Sequence, residues 1–142
     1  MDLNKDNRDD FIDWNALSPP DRPNNWLLAP KSDRSARRGE VAPIFDVGPE
    51  VLASTWKQVI EEQPRVQILA VSNDGLKVEA VQRSAIFGFV DRISSRVIAM
   101  SEHQSTLAVY SRSTVGYWDL GVNRRRVQEW VRSLGDRVAG VE

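Results

Sequence analysis

The pattern that most restricts how this chain can fold occurs twice. Arg83-Ser84-Ala85-Ile86-Phe87-Gly88-Phe89-Val90-Asp91 is echoed by Arg112-Ser113-Thr114-Val115-Gly116-Tyr117-Trp118-Asp119. Each copy reads Arg-Ser, a short apolar link, Gly-aromatic, one residue and Asp. Each closes a segment with the period-two alternation of a β-strand. Leu76, Val78 and Ala80 share one face of the first segment, with Lys77, Glu79, Val81 and Arg83 on the other. In the second, Leu107 and Val109 face inward while Ala108, Tyr110 and Arg112 face outward. A third strand-like segment, Phe89–Met100, lies between them, with Ile93, Val97 and Ala99 on one face. The two motif-closing strands therefore run the same way with one antiparallel strand between them. At a strand spacing of ~4.8 Å, Arg83 and Arg112 leave one rim of the sheet about 10 Å apart.

The remaining elements fit around these three. Val66–Val71 is a strand joined to the next by Asn73-Asp74-Gly75, residues that tolerate the positive φ of a hairpin turn. Upstream, Glu40–Val47 reads as a strand that must be short or at an edge, because Pro43 has no N–H to donate. Gly48-Pro49-Glu50 opens a helix with proline and an acid in its first turn. Leu52, Trp56, Val59 and Ile60 form its apolar stripe, and Pro64 ends it. A last helix starts at about Asn123, a candidate N-cap, with Val127, Trp130, Val131, Leu134 and Val138 as its stripe. Gly135 is a candidate early stop. Asn24-Asn25-Trp26-Leu27-Leu28 reads as an apolar patch within a loop. The expected class is α+β, an antiparallel four- to five-stranded sheet with two helices on one face in the order β-α-β-β-β-β-α. Residues 1–22 are expected to be a flexible acidic N-terminal arm, 23–138 a single domain and 139–142 a tail. Phe11, Ile12, Trp14 and Leu17 could dock that arm on a partner or on the open sheet face. Lys31–Arg38 reads as a solvated basic linker.

Composition excludes several chemistries. The 142 residues contain no cysteine, so there is no disulfide, thiol nucleophile or sulfur-ligated zinc. The one histidine, His103, lies in a polar turn and cannot build a multi-histidine metal site. Net charge is -1, which gives no global basic field for nucleic acid. No apolar run approaches the ~20 residues of a membrane span. The Asp/Asn-rich N-terminus has no hydrophobic signal region. The chain as written reads as soluble and cytoplasmic, with no cofactor and no metal expected. Gly-rich phosphate loops, Gly-x-Ser-x-Gly and paired catalytic carboxylates are absent from the sequence.

Two readings of the repeated motif stand side by side. Arg83 and Arg112, with Arg92 nearby, could converge on a phosphate or carboxylate, which the planar guanidinium recognises. In the bland alternative, Asp91 serves Arg83 and Asp119 serves Arg112, Gly88 and Gly116 permit tight corners, and the neighbouring aromatics cap the core. Asn123-Arg124-Arg125-Arg126 is a second cationic cluster. Its cations oppose the helix dipole unless an anion sits there or Arg125–Glu129 and Glu129–Arg132 pairs spread the charge. The functional reading assigns ligand binding to Arg83, Ser84, Arg92, Arg112, Ser113, Tyr117, Trp118, Asn123 and Arg124. Gly88, Asp91, Gly116 and Asp119 have structural roles, and no residue is assigned a catalytic one. The expected partner is a small anionic ligand or a protein, with an interaction module and an enzyme as alternatives.

The C-terminal block also resembles a known family. Gln82-Arg83-Ser84, Phe87-Gly88-Phe89, Asp91, Tyr110-Ser111-Arg112-Ser113, Gly116-Tyr117 and Asp119-Leu120-Gly121-Val122-Asn123-Arg124 before an amphipathic helix are similar to the domain of unknown function 1499 family. The Pro23-Asn24 start also matches, so the resemblance covers about residues 23–134. It implies a family found in bacteria and plastids with no assigned reaction. Many relatives carry an N-terminal membrane or lipid anchor and a cysteine after the Pro-Asn pair, where this chain has Asn25 and Trp26.

Overall fold

The computed structural model describes residues 10–32, 39–116 and 118–140. Its elements are β1 (Asn25–Ala29), β2 (Gly39–Val41), α1 (Pro49–Glu61), β3 (Val66–Val71), β4 (Lys77–Arg83), β5 (Val90–Ala99), β6 (Ser105–Ser113) and α2 (Val122–Ala139). One sheet has the order β2-β1-β6-β5-β4-β3. All neighbours pair antiparallel except β1 and β2, which are parallel. The α+β class agrees with the periodicity, but the sheet has six strands rather than four to five.

Two segments account for the difference. Asn25–Ala29 is a strand, not a loop patch. Leu28 packs beneath the helices while Leu27 and Ala29 pack on the opposite face, so both sides are apolar and the alternation that marks a half-buried strand disappears. The strand expected over Glu40–Val47 shrinks to Gly39–Val41 at the sheet edge, with Phe45 making an isolated bridge to Ser105. Pro43 lies outside the ladder, and its carbonyl accepts a bond from Thr106 Oγ1 at 2.7 Å.

The main core lies between the helices and one sheet face. Leu52, Trp56, Val59 and Ile60 of α1 and Val127, Trp130 and Leu134 of α2 meet Val78, Ala80, Ile93, Val97, Leu107 and Val109. The Trp56 and Trp130 rings are 6.2 Å apart. Trp56 satisfies its one polar atom by donating from Nε1 to Ser95 Oγ at 2.8 Å. Removing a tryptophan so fully enclosed costs ~3–5 kcal/mol. On the opposite face Leu27, Ala29, Ala108 and Tyr110 form a smaller cluster, covered by Ile12, Trp14 and Leu17. The Arg96 guanidinium lies 5.2 Å from the Trp14 ring centroid.

The start of α2 differs from expectation in a way that bears on the site. The residue before its first turn is Gly121, at φ 77°, and Asn123 lies inside the helix with its side chain buried. Capping falls instead to Asp119, whose Oδ1 and Oδ2 accept from the Gly121 and Asn123 N–H groups at 2.8 and 3.1 Å. Gly135 does not stop the helix, which continues to Ala139. Arg137 near its end pairs with Glu62 just beyond α1.

Candidate functional site

The motif end of the sheet holds two polar clusters, one on each face. Strand alternation decides which residues go where. Gln82, Asp91, Ser111 and Ser113 point toward α2, whereas Glu79, Arg92, Ser94, Tyr110 and Arg112 point toward the N-terminal arm.

The helix-face cluster centres on Arg126 and Asn123. Arg126 donates from Nε to Gln82 Oε1 at 2.6 Å and from Nη1 to Ser111 Oγ and Asn123 Oδ1 at 3.0 and 2.8 Å. From Nη2 it reaches Asp91 Oδ2 at 2.8 Å. Asn123 Nδ2 donates to the Asn24 carbonyl, Ser113 Oγ and Asp119 Oδ2 at 3.1, 2.9 and 2.8 Å. Asn24 in turn donates from Nδ2 to the Gly116 carbonyl at 2.6 Å. Its one cation among the described residues, Arg126, has its own carboxylate in Asp91, and the polar atoms named are bonded to one another. A cluster this complete ties β4, β5, β6, α2 and the residue before β1 together.

The arm-face cluster is built differently. Glu79, expected on an open polar face, is fully buried. Its Oε1 accepts from Arg92 Nε at 2.9 Å and from Ser94 Oγ at 2.6 Å. Ser94 Oγ also accepts from Arg112 Nη1 at 3.0 Å, so Arg112 reaches the carboxylate only through a hydroxyl. Arg92 and Arg112 are cross-strand partners, and Arg92 Nη2 additionally donates to the Asp10 carbonyl at 2.8 Å. The Arg112 guanidinium lies 4.8 Å from the Tyr110 ring centroid. Burial pulls the Arg112 guanidinium below its ordinary pKa, Glu79 opposes that pull, and Arg92 adds to it. Burial likewise raises the Tyr110 hydroxyl. Beside Arg112 on β1 is Asn25, whose Oδ1 is buried without a hydrogen-bond partner among the described residues.

This geometry redistributes the residues predicted from sequence. Asp91 pairs with Arg126, not Arg83, and Asp119 caps α2 rather than serving Arg112. Ser113 and Asn123 are internal to the helix-face cluster. Ser84 Oγ accepts from the Phe89 N–H at 3.0 Å and closes its own loop. Arg124 stacks 4.8 Å from the Trp26 ring centroid. Arg83 and Trp118 are exposed at the rim. Tyr117 lies outside the described residues. Gly88 and Gly116 do adopt positive φ, 66° and 86°. Arg92 and Arg112 are brought together, and Arg83 shares their face at the end of β4, two residues beyond Val81, the cross-strand partner of Arg92.

The sequence reading missed Glu79, Ser94, Gln82, Ser111, Asn24 and Arg126. A signal was present for two of them. An acid on the same face as arginines of the neighbouring strands marks Glu79 as their partner. Arg126 stands three residues after Asn123, the spacing that places both on one helix face.

Elsewhere, an open groove of about 520 Å³ lies between the β1–β2 edge and α2, lined in part by Leu28, Val41, Phe45 and Val131. It contains none of the motif residues. Among the described residues no group of three His, Cys, Asp or Glu is placed to hold a metal ion, and no helix is long and apolar enough to cross a membrane.

A family model described as "Protein of unknown function (DUF1499)" matches residues 18–134. No curated protein matches the chain. A solved START superfamily protein from Mycobacterium smegmatis is similar at 12% identity and a TM-score of 0.43, over 71% of this chain and 96% of that one. A likeness at that level carries no argument about function.

Proposed function

The chain belongs to the DUF1499 family of proteins of unknown function, and from that premise we propose that it is a non-catalytic binding module for a small anionic ligand. The ligand is held by Arg112, with Arg92 beside it and Arg83 at the rim. The observation that carries this reading is the charge balance of the arm-face cluster. Among the described residues, one carboxylate, Glu79, serves two guanidinium groups, and Arg112 touches it only through Ser94. A partly buried cation with no carboxylate of its own is costly, and a phosphate or carboxylate group would relieve that cost with charge-assisted bonds. Asn25 Oδ1, on the cross-strand partner of Arg112, offers an acceptor to a hydroxyl of the same ligand.

Ser113 and Asn123 fall out of the ligand set because their polar atoms are engaged in the helix-face cluster. A second reading, an interaction module, is favoured by a different observation, the exposed apolar side chains on the motif loops.

Thermal and chemical unfolding of the full chain with inorganic phosphate, acetate, citrate and a sugar phosphate tests the anion reading. A bound anion is expected to stabilise the fold by about 2.7 kcal/mol at a hundredfold excess over Kd. Arg112→Gln should abolish that gain while circular dichroism shows the fold retained. No stabilisation by any of these anions, or an undiminished one in Arg112→Gln, would end the reading.

A further inference from the structure

We propose that the two motif loops form an edge that docks on the surface of an anionic lipid bilayer. The β4–β5 loop (84–89) and the β6–α2 loop (114–121) leave the same end of the sheet. Ser84 N–H donates to the Phe89 carbonyl at 2.8 Å and closes the neck of the first loop. Thr114 donates from N–H and Oγ1 to the Val90 carbonyl at 3.3 and 2.6 Å and fixes the second loop to the root of the first.

The side chains these loops present are large and apolar. Ile86 is 85% exposed, Phe87 73%, Trp118 74% and Leu120 88%, with Phe89 and Val115 also exposed. Exposure this high means that the side chains project from the surface rather than lie in it. Phe87 and Phe89 stack with centroids 5.5 Å apart and form one double-ring tip. Leu120 is held outward by a defined backbone. It adopts φ 55°, followed by Gly121 at 77°, and the Asp119 carboxylate binds the Gly121 N–H. A cluster of apolar side chains in water at one end of a domain marks a contact surface.

The charge around the tips selects the occupant. Residues 84–89 contain no charged side chain, and the one acid in 114–121, Asp119, turns inward to cap α2. Exposed arginines stand near the roots of the loops: Arg65, whose carbonyl accepts from the Arg83 N–H, Arg83 itself, Arg22 beside Asn25, and Arg124, over the Trp26 ring, with Arg125 on the first turn of α2. Asp21 beside Arg22 and Asp10, whose carbonyl accepts from Arg92, are exposed acids near this end. The chain as a whole carries -1, so among the described residues the excess of arginines here reflects segregation of charge, not composition. Projecting aromatic and aliphatic tips with arginines near their roots match the acyl boundary and the phosphate layer of an anionic bilayer. This inference shares only Arg83 with the Arg112 anion site and leaves Arg112 and Arg92 unused, so it stands or falls separately from that site.

Co-sedimentation of the full chain with phosphatidylcholine vesicles, with and without phosphatidylserine, tests it. Binding is expected only with phosphatidylserine and should weaken as salt is raised. Phe87→Ser/Phe89→Ser should weaken it by roughly tenfold or more. Arg22→Glu/Arg125→Glu should weaken it severalfold at low salt. Arg112→Gln should leave it unchanged. No sedimentation with phosphatidylserine vesicles would overturn the proposal, as would binding indifferent to salt and to the phenylalanine changes. Concentration-dependent self-association that Phe87→Ser/Phe89→Ser abolishes, without vesicle binding, would assign the edge to a second copy of the chain and overturn the bilayer.

Discussion

The two polar clusters occupy opposite faces of the same strands and use the same residue types, yet their charge logic differs. On the helix face Arg126 has Asp91 to itself, and Gln82, Ser111 and Asn123 take its remaining donors. On the arm face Glu79 is divided between Arg92 and, through Ser94, Arg112. The first arrangement is closed: adding an anion would displace a bond already made. Among the described residues the second carries positive charge beyond its one carboxylate. Arginine, carboxylate and serine therefore act as a lock where the cation is matched and as a candidate binding site where the match is incomplete. The motif copies do not map one to each cluster. Asp91 from the first and Asp119 from the second both serve the helix face, while Arg112 of the second is bonded into the arm face and Arg83 of the first lies on that face at the rim.

The sharpest way to break this contrast is to remove the cation from the closed cluster. Arg126→Met leaves Asp91 Oδ2 and Gln82 Oε1 without the donor they have now, and Asn123 Oδ1 keeps only the Ser111 hydroxyl. Breaking a buried pair by deleting one partner costs ~3–5 kcal/mol, so a loss of that size is expected in urea unfolding. A loss below about 1 kcal/mol would show that the helix-face network is not a lock. Next in size is Glu79→Gln, which strips the arm face of its carboxylate and leaves two guanidinium groups facing each other. A loss of about 3 kcal/mol is expected. Inorganic phosphate should restore part of that loss, because an added anion can take the place of the carboxylate. Asp91→Asn, its counterpart on the other face, should lose stability without recovery in phosphate. Equal recovery in both variants would erase the distinction between the faces.

The sequence carried the frame of the molecule further than its site. The α1 and α2 stripes, the Asn73-Asp74-Gly75 turn and the alternation of β4 and β6 were legible because each buries one face only, and one-sided burial leaves a period in the chain. β1 was illegible for the converse reason: Leu27 and Leu28 are buried on opposite faces, and an apolar run has no period to read. In the site, alternation placed Arg92 and Arg112 on the same face as Glu79. What it could not convey was that Ile12, Trp14 and Leu17 cover part of that face and turn an exposed acid into a buried one. Charge partners across the sheet were likewise beyond reach. The local spacing of Arg83 to Asp91 suggested a pair, whereas Asp91 points through the sheet to an arginine on α2.

The smallest expected effect compares the two motif copies directly. Gly88 and Gly116 both need positive φ, and a β-carbon at either meets no heavy atom within 4 Å, so alanine is opposed by backbone conformation alone. That cost is about 1 kcal/mol at each position. The positions differ in how freely they can relax. The Gly116 carbonyl accepts the 2.6 Å bond from Asn24, a buried member of the helix-face cluster, whereas Gly88 sits in an exposed loop closed on itself by Ser84. A backbone shift that eases the strain is open to Gly88→Ala but would cost Gly116→Ala a buried hydrogen bond, adding about 1 kcal/mol. The expected order is therefore Gly116→Ala, at about 2 kcal/mol, above Gly88→Ala, at about 1 kcal/mol or less, by urea unfolding of the two variants side by side. Equal losses would mean that the closed cluster ends at Asn24 and that both loops move independently of it.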